Sequence, residues 1–147
     1  MAAARARPYG RGMMAIRTAA GEDRGAIAAM LVRCSPGSLW ARFHGGNHAP
    51  AGLLHGDVMV ATVGPDVIAV GNLVEAELAV LVEDGWQRLG VGSAVLAALL
   101  GRAAMTGVTV AAADVQLDNR AAIALCRGAG GHARPGESGL RFTFTLP

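Results

Sequence analysis

The 147-residue chain is 52% hydrophobic and 16% charged, which is typical of one compact domain and excludes a largely disordered chain. Its net charge of +2 arises in the first twelve residues, which hold three of the thirteen basic residues and none of the eleven acids. Because the rest is near neutral, with no basic stripe and no apolar run of about 20 residues, we expect no nucleic-acid partner and no membrane partner.

The N-terminal segment is the first feature along the chain. Residues 1–13 are arginine-rich and free of acids, and we predict a disordered basic tail there, followed by a single domain over residues 14–147. The tail lacks the apolar core of a secretory signal. The two cysteines are too few and too far apart for a disulfide framework or a zinc site, so we expect a reducing, cytoplasmic setting.

Apolar periodicity and turn residues predict the order of elements in the domain. The predicted elements are a strand at 15–17, a helix that opens at residue 18 or 21 and is ended by residues 35–37, a helix at 38–43, a loop at 44–52, strands at 57–63, 67–73 and 75–82, a helix at 91–105, a strand at 108–113, a helix at 119–127, a glycine-rich loop at 128–139 and a strand at 140–146. This order predicts an α/β fold, a three-layer α-β-α sandwich with a mixed central sheet rather than a doubly wound Rossmann sheet.

Helix ends and the buried face of the long helix are also predicted. Gly107 suits the C-terminal cap of the helix at 91–105, and Asn119 suits the N-terminal cap of the next one. The residues predicted to share the apolar face of the long helix are Val91, Val95, Ala98, Leu99 and Met105.

The stretch Gln87–Gly92, QRLGVG, lies between a predicted strand and the long helix. Glycines at a helix start let an anion approach N–H groups that have no partner within the helix, so the stretch predicts a phosphate cradle. A Walker loop requires a lysine, and the chain has none. A Rossmann loop requires a third glycine, where this chain has Val95.

A third kind of phosphate loop fits this stretch. It resembles the acyl-CoA loop of the GNAT N-acetyltransferases, Q/R-x-x-G-x-G/A, which Gln87, Gly90 and Gly92 match. The later segment LDNRAAIALCRGAG resembles the second CoA segment of that family, and the resemblance covers the chain from about residue 14 onward. The matching residues of this second segment are Asn119, Ala122, Leu125 and Gly130.

The resemblance implies acetyl-CoA as the acyl donor and a central sheet that splays beside the motif strand. The pantetheine arm is expected along the backbone of Leu81 and Val82, and the pyrophosphate on the loop. Asn119 is expected to contact the pantetheine, to cap the next helix, or both. The loop residues implied to bind the cofactor are Gln87, Arg88, Leu89, Gly90, Val91, Gly92 and Ser93.

Two positions depart from the family pattern. Cys126 replaces the tyrosine that often protonates the departing CoA thiolate, and Gly131 replaces an aromatic residue. We include Cys126 among the candidate CoA-contacting residues, with a packed apolar role as the alternative. Water is the other candidate proton source.

Glu77 and Glu75 are the candidate catalytic bases. An acceptor amine must lose a proton before it attacks a thioester, and a nearby carboxylate can remove it directly or through water. The two acids have the same parity on the predicted strand 75–82, so they are expected to share a face. Glu77 is preferred because it stands four residues before Leu81, near the implied thioester; solvated acids on a strand face are the alternative.

A further resemblance concerns the acceptor. EAELAVLVEDGWQRLGVG and CSPGSLWARFHG resemble the acetyltransferase domain of bacterial protein-lysine acetyltransferases, which implies that the SLWARFHG helix, residues 38–45, and the loop after it line the acceptor side. Small amines and protein lysines both remain open as acceptors, with direct attack in a ternary complex. The alternative function is a non-catalytic acyl-CoA-binding sensor or interaction module.

Two further expectations concern metals and assembly. The histidines His44, His48 and His55 are loosely spaced and lack a cysteine or acid that would complete a metal site, so we expect no metal. The apolar strand at 140–146 could form the edge of the sheet, which would allow a homodimer.

Overall fold

The computed structural model describes residues 7–9, 12–43 and 53–147. The strands are β1 (Arg7–Tyr9), β2 (Gly12–Thr18), β3 (Asp57–Val63), β4 (Asp66–Val74), β5 (Glu77–Val82), β6 (Val110–Gln116), β7 (His132–Pro135) and β8 (Gly139–Thr145). The α-helices are α1 (Arg24–Arg33), α2 (Pro36–Phe43), α3 (Val91–Met105) and α4 (Arg120–Gly128).

These strands form one mixed sheet in the order β1-β2-β3-β4-β5-β6-β8-β7. Neighbouring strands are antiparallel except β5 and β6, which run parallel and share the single registered pair Glu77 and Ala112. The Ala112 N–H donates to the Ala76 carbonyl at 2.8 Å, and no pair follows it along β5. The sheet therefore opens between β5 and β6, which agrees with the predicted splayed α/β sandwich.

Helices cover both faces of the sheet. One core packs α3 and α4 against β2–β6 and β8, and Phe142 is its largest fully buried side chain. The second core packs α1 against the opposite face of β3, β4 and β5, with α2 residues Leu39 and Phe43 at its margin. Along β5, Leu78 lies in the first core and Leu81 in the second. Since side chains alternate along a strand, Glu77 shares the face of Leu81.

The start of β5 differs from the prediction. The strand begins at Glu77, whereas Glu75 and Ala76 form a two-residue hairpin turn with φ of +48° and +67°. Two positive φ angles match the twist of a tight hairpin, and Val74 pairs with Glu77 across it. The prediction that Glu75 and Glu77 lie on one strand face is therefore wrong.

Three other predictions, the edge strand, the loop at 128–139 and the buried position of Met105, are corrected, and part of the predicted tail is described. The strand β8 lies between β6 and β7, so it is not an edge, and β7 occupies part of the predicted loop at 128–139. Residues 7–9, inside the predicted disordered tail, pair with β2, while residues 1–6 and 10–11 lie outside the described ranges. Met105 is 76% exposed, so it does not belong to the buried face of α3.

The segment Ser35–Ser38 begins α2 instead of only ending α1. Pro36 is the first residue of α2, where a missing N–H costs nothing, and the Ser35 Oγ accepts from the Ser38 N–H at 3.1 Å. The predicted caps at Gly107 and Asn119 are confirmed: Gly107 has φ +87°, and the Asn119 Oδ1 accepts from the Ala122 N–H at 3.1 Å.

Candidate active site

A cleft of about 830 Å³ opens where β5 and β6 diverge. Its walls are α2 on one side and the start of α4 on the other, with the segment 87–93 at one end. Of the residues predicted to bind CoA, those that line the cleft are Leu81, Val82, Gln87, Arg88, Gly90, Gly92, Ser93 and Asn119. Leu89, Val91 and Cys126 do not line it.

The two glycines of the loop have different structural roles. Gly90 is the N-cap of α3 and has φ +85°, a left-handed conformation that favours glycine. A Cβ on Gly92 would lie 3.4 Å from Leu125 Cδ2 and 3.6 Å from Val82 Cγ2, which are ordinary van der Waals contacts, so position 92 has room for a methyl group. The N–H groups that begin α3 therefore open onto the cleft with little side-chain cover, as an anion site requires.

Hydrogen bonds fix this loop to α2. The Gln87 Nε2 donates to the Val82 carbonyl at 2.9 Å and to the Ser38 Oγ at 3.1 Å. The Asp84 carboxylate accepts from the Ser35 N–H at 2.7 Å and from the Ser38 hydroxyl at 3.1 Å. Desolvation would raise the pKa of Asp84, but these hydrogen bonds outweigh it and lower the pKa. The motif glutamine therefore positions the loop, a role that its sequence pattern did not reveal.

Cys126 lies beside the cleft wall but belongs to the buried core. Its side chain is 5% exposed, and burial raises the pKa of its thiol to about 11. A thiol that is protonated and shielded in this way does not touch a ligand in the cleft. The packed apolar role, the alternative given for this residue from the sequence, fits its position.

The second departure from the family pattern, Gly131, has a steric explanation. A Cβ at this position would lie 2.9 Å from the Cys126 carbonyl oxygen and 2.9 Å from the Phe144 Cε1 and Cζ atoms. The ring of Phe144, brought in from β8, fills the space that a side chain at position 131 would need. The missing aromatic is thus replaced from a different strand.

Glu77 forms an ion-pair cluster with Arg141 and Asp114. The two terminal nitrogens of Arg141 each donate to one oxygen of Glu77 at 2.9 Å, and Nη1 also reaches the Asp114 carboxylate at 3.0 Å. Glu77 is 47% exposed and Arg141 37%. The hydrogen bonds that Arg141 donates to Glu77, and then to Asp114, raise the pKa of Arg141, which therefore stays charged. Glu75 lies outside this cluster, in the preceding turn.

A second cavity of about 690 Å³ adjoins the cluster. Asp114 and Arg141 line it, together with the β7–β8 turn, residues 135–140. The alternation of Phe142 and Phe144 into the core turns Arg141 to the other face of the sheet, which is the face of Glu77. The cavity therefore lies beside the Arg141–Glu77 pair, and Glu77 itself lines neither this cavity nor the cleft.

Arg42 is a feature of the cleft that sequence reasoning missed. It lies near the C-terminal end of α2 and lines the cleft, and its Nη2 donates to the Asn72 Oδ1 at 3.0 Å. Its guanidinium lies 4.9 Å from the ring centroid of Phe43. Asn72 is 4% exposed and donates to the Leu53 carbonyl at 2.6 Å, so this amide holds Arg42 in place from the sheet.

The described residues contain neither a cluster of metal ligands nor a helix able to span a membrane. Those residues contain no group of three histidine, cysteine or acidic side chains able to hold a metal ion, and His44 and His48 lie outside them. None of the described helices has the length and apolar character needed to cross a membrane.

Comparison with known proteins agrees with this geometry. The model of the acetyltransferase (GNAT) family matches residues 28–130, which span both glycine-containing segments and the whole cleft wall. None of the curated proteins matches the sequence.

Solved structures with the same fold are similar to nearly the whole chain. The GNAT domain of S. lividans PAT is 22% identical with a TM-score of 0.82, covering 92% of each chain. The yncA protein of Salmonella typhimurium, solved with its cofactor acetyl-CoA, is 18% identical with a TM-score of 0.71, covering 91% of this chain and 94% of that one. The ribosomal-protein-S18-alanine N-acetyltransferase of Escherichia coli is 21% identical with a TM-score of 0.66, covering 92% and 94%.

Proposed function

The chain belongs to the GNAT family of acetyltransferases, and on that premise we propose that it transfers an acetyl group from acetyl-CoA to a primary amine. The observation that carries the proposal is the cleft between β5 and β6, which joins an unpaired strand edge to a glycine loop at a helix start, with Glu77 at the point where β5 and β6 still pair. The amine attacks directly, in a complex that holds both substrates.

The donor half of the proposal rests on the cleft. The edge of β5 that faces β6 has no strand partner beyond Glu77, so backbone groups there can pair with the amides of a pantetheine arm, apart from the Val82 carbonyl, which accepts from Gln87. The N–H groups at the start of α3, with Arg88 beside them, suit a pyrophosphate. Acetyl-CoA bound to yncA, which shares the fold, supports the same donor.

Glu77 is the proposed base. As it stands, both of its oxygens accept from Arg141, so the acceptor ammonium must displace Arg141 from at least one oxygen. Solvent screens this partly exposed pair, while its bidentate geometry and the third charge of Asp114 make it stronger than an isolated surface ion pair. Arg141 retains Asp114 as a partner during the exchange.

The bond changes then balance without a protein acid. Glu77 takes one proton from the acceptor ammonium and passes it to solvent, and the neutral amine nitrogen then forms a bond to the thioester carbonyl carbon. The carbon–sulfur bond breaks to release CoA thiolate, and Glu77 takes the second proton from the nitrogen as the amide forms. Solvent protonates the thiolate, since Cys126 does not line the cleft. A thiol with a pKa of about 8.5 needs little assistance to leave.

The test is an acetyl-CoA-dependent thiol-release assay with a panel of small amines and lysine peptides. With the best acceptor, we expect Glu77→Gln to lower kcat by about 100-fold or more, because general-base catalysis is lost. Glu75→Gln is the matched control and is expected to behave like the wild type, since Glu75 lies in the hairpin turn.

Two outcomes would contradict the proposal. Equal activity of Glu77→Gln and the wild type would remove Glu77 as base. Tight acetyl-CoA binding by calorimetry with no thiol release from any amine would favour the non-catalytic acyl-CoA sensor instead.

A further inference from the structure

Arg42 is a partly buried cation without a counter-ion among the described residues. All eleven acidic residues of the chain lie in the described ranges, and none of them forms an ion pair with Arg42. Its Nε atom is buried and has no hydrogen-bond partner among the described residues. Burial lowers the pKa of its guanidinium, and arginine nevertheless remains charged near neutral pH. A buried, incompletely paired charge is costly for a fold to keep.

The position of Arg42 separates it from the phosphate-binding end of the cleft. Ser38, one turn earlier on α2, accepts from Gln87 of the glycine loop. Arg42 lies four residues further along the helix, about 6 Å along its axis, and reaches Asn72 on β4 instead. Arg88 and Arg120 line the cleft near the loop and α4, so Arg42 is a third, separate cation of the cleft.

Through Asn72, Arg42 is held near the part of β5 that carries the proposed base, Glu77. Asn72, which holds Arg42, pairs with Ala79 of β5. Ala79 lies two residues from Glu77 on the same face, which corresponds to about 7 Å along the strand. A cation held over Ala79 and a carboxylate at Glu77 can therefore engage two groups of one small acceptor.

We propose that Arg42 binds a carboxylate of the acceptor, so that the acceptor class is an amine that carries a carboxylate near its amino group. The inference rests on the proposed acetyl transfer. The unpaired Nε–H and a terminal N–H of the guanidinium can donate side by side to the two carboxylate oxygens. Asn72 keeps the guanidinium oriented for this contact, and Glu77 receives the proton of the amine.

The experiment compares matched acceptors with and without the carboxylate. Free amino acids and their primary amides are assayed by thiol release with the wild type, Arg42→Met and Arg42→Lys. We expect the wild type to favour the carboxylate form in kcat/KM by roughly 10- to 100-fold, as a charge-assisted bidentate contact provides. Arg42→Met should abolish this preference while leaving the amide within about threefold, and Arg42→Lys should keep part of it.

The controls separate a recognition role from a structural one. Arg102→Met removes an arginine that pairs with Asp57 at 3.3 Å and does not line the cleft, so it should keep the preference. Thermal unfolding of each variant checks that it folds. Lysine peptides with a neighbouring Glu or Gln form the second acceptor arm: a preference for Glu that Arg42→Met abolishes would assign the carboxylate to a polypeptide.

Two outcomes would overturn the inference. One is a wild type without preference for the carboxylate; the other is an Arg42→Met variant that loses activity equally on both members of a pair. If no amine reacts at all, the proposed function fails, and the inference is judged by binding alone. In that case CoA-loaded protein is titrated with N-acetyl amino acids and their amides, and carboxylate binding that Arg42→Met does not weaken would contradict it.

Discussion

At the scale of single residues, charged side chains decide which parts of this molecule respond to pH and to ligands. Arg141 and Arg42 illustrate two extremes, because the first is shared by two carboxylates and the second has none. Asp23 is a third case, with a purely structural role. Its carboxylate is 6% exposed and accepts from both terminal nitrogens of Arg17, at 2.7 and 2.8 Å, and from the Ala20 N–H at 2.7 Å.

Asp23 should make stability depend on acidic pH. The hydrogen bonds from Arg17 lower the pKa of Asp23 in the folded state. Its stabilisation is therefore complete above the unfolded pKa of about 4 and is lost as the pH falls through the folded pKa. We expect Asp23→Asn to cost about 1–3 kcal/mol at neutral pH and to flatten the acid limb of the unfolding free energy, measured by urea titration. Asp66→Asn, at an exposed site, should leave both the stability at neutral pH and the acid limb unchanged.

At the scale of elements, close approaches and turns explain the departures from sequence expectation. The hairpin turn of Glu75 and Ala76 shortens β5, which separates the two candidate bases. Strand β8 contributes Phe144 to the space at Gly131, and Arg141 to Glu77 on the other face. Neither contact is local, so helical or strand periodicity alone does not predict it.

The hairpin turn gives an element-scale prediction about stability. Ala76 has φ +67°, a conformation that costs a residue with a Cβ about 1 kcal/mol. We expect Ala76→Gly to raise the free energy of unfolding by roughly 0.5–1 kcal/mol. Gly64→Ala is the reciprocal control: Gly64 has φ +56° and open space around it, so this change should destabilise. The same sign for both variants in thermal unfolding would contradict the explanation.

The packing of β8 under α4 gives a second element-scale prediction about stability. Gly131→Ala would place a Cβ 2.9 Å from a backbone oxygen and from the Phe144 ring, so we expect a loss of about 1–3 kcal/mol. Gly128→Ala is matched to it, because Gly128 ends α4 with nothing within 4 Å of the added Cβ. That variant should be neutral or slightly stabilising in the same chemical unfolding experiment. If the two variants had the same free energy of unfolding, the steric explanation would be contradicted, because Phe144 would then have moved aside for the added methyl group.

At the scale of the whole molecule, the sheet is divided by its own opening. Among the described strands, β1–β5 and the group β6, β8 and β7 are paired only at Glu77 and Ala112, and α3 and α4 pack across both halves on one face of the sheet. A ligand that pairs with the free edge of β5 would therefore bridge the two halves. Ligand binding in the cleft would then stabilise the sheet, in addition to its part in the proposed catalysis.

Hydrogen exchange can detect this bridging. On adding CoA, we expect slower amide exchange in peptides that cover β5 and residues 88–94, because a pantetheine arm supplies acceptors and the phosphates cover the start of α3. Peptides from β2, on the far side of the sheet, serve as the internal control. Protection confined to other segments would contradict the placement of the donor.

The sequence by itself determined the four α-helices, six of the eight described strands in their order, the three-layer fold and the loop at Gln87–Gly92, because these follow from local periodicity and from residue types at fixed spacing. It also singled out Glu77, since position on a strand relative to a motif is a local property. Only the tertiary structure decided that Glu75 lies in a turn, that Arg141 holds Glu77, and that Arg42 lies in the cleft without a carboxylate partner and with its Nε unbonded. These contacts join residues 30 to 64 positions apart, and no local pattern encodes which side chain from a distant strand fills a given space or neutralises a given charge.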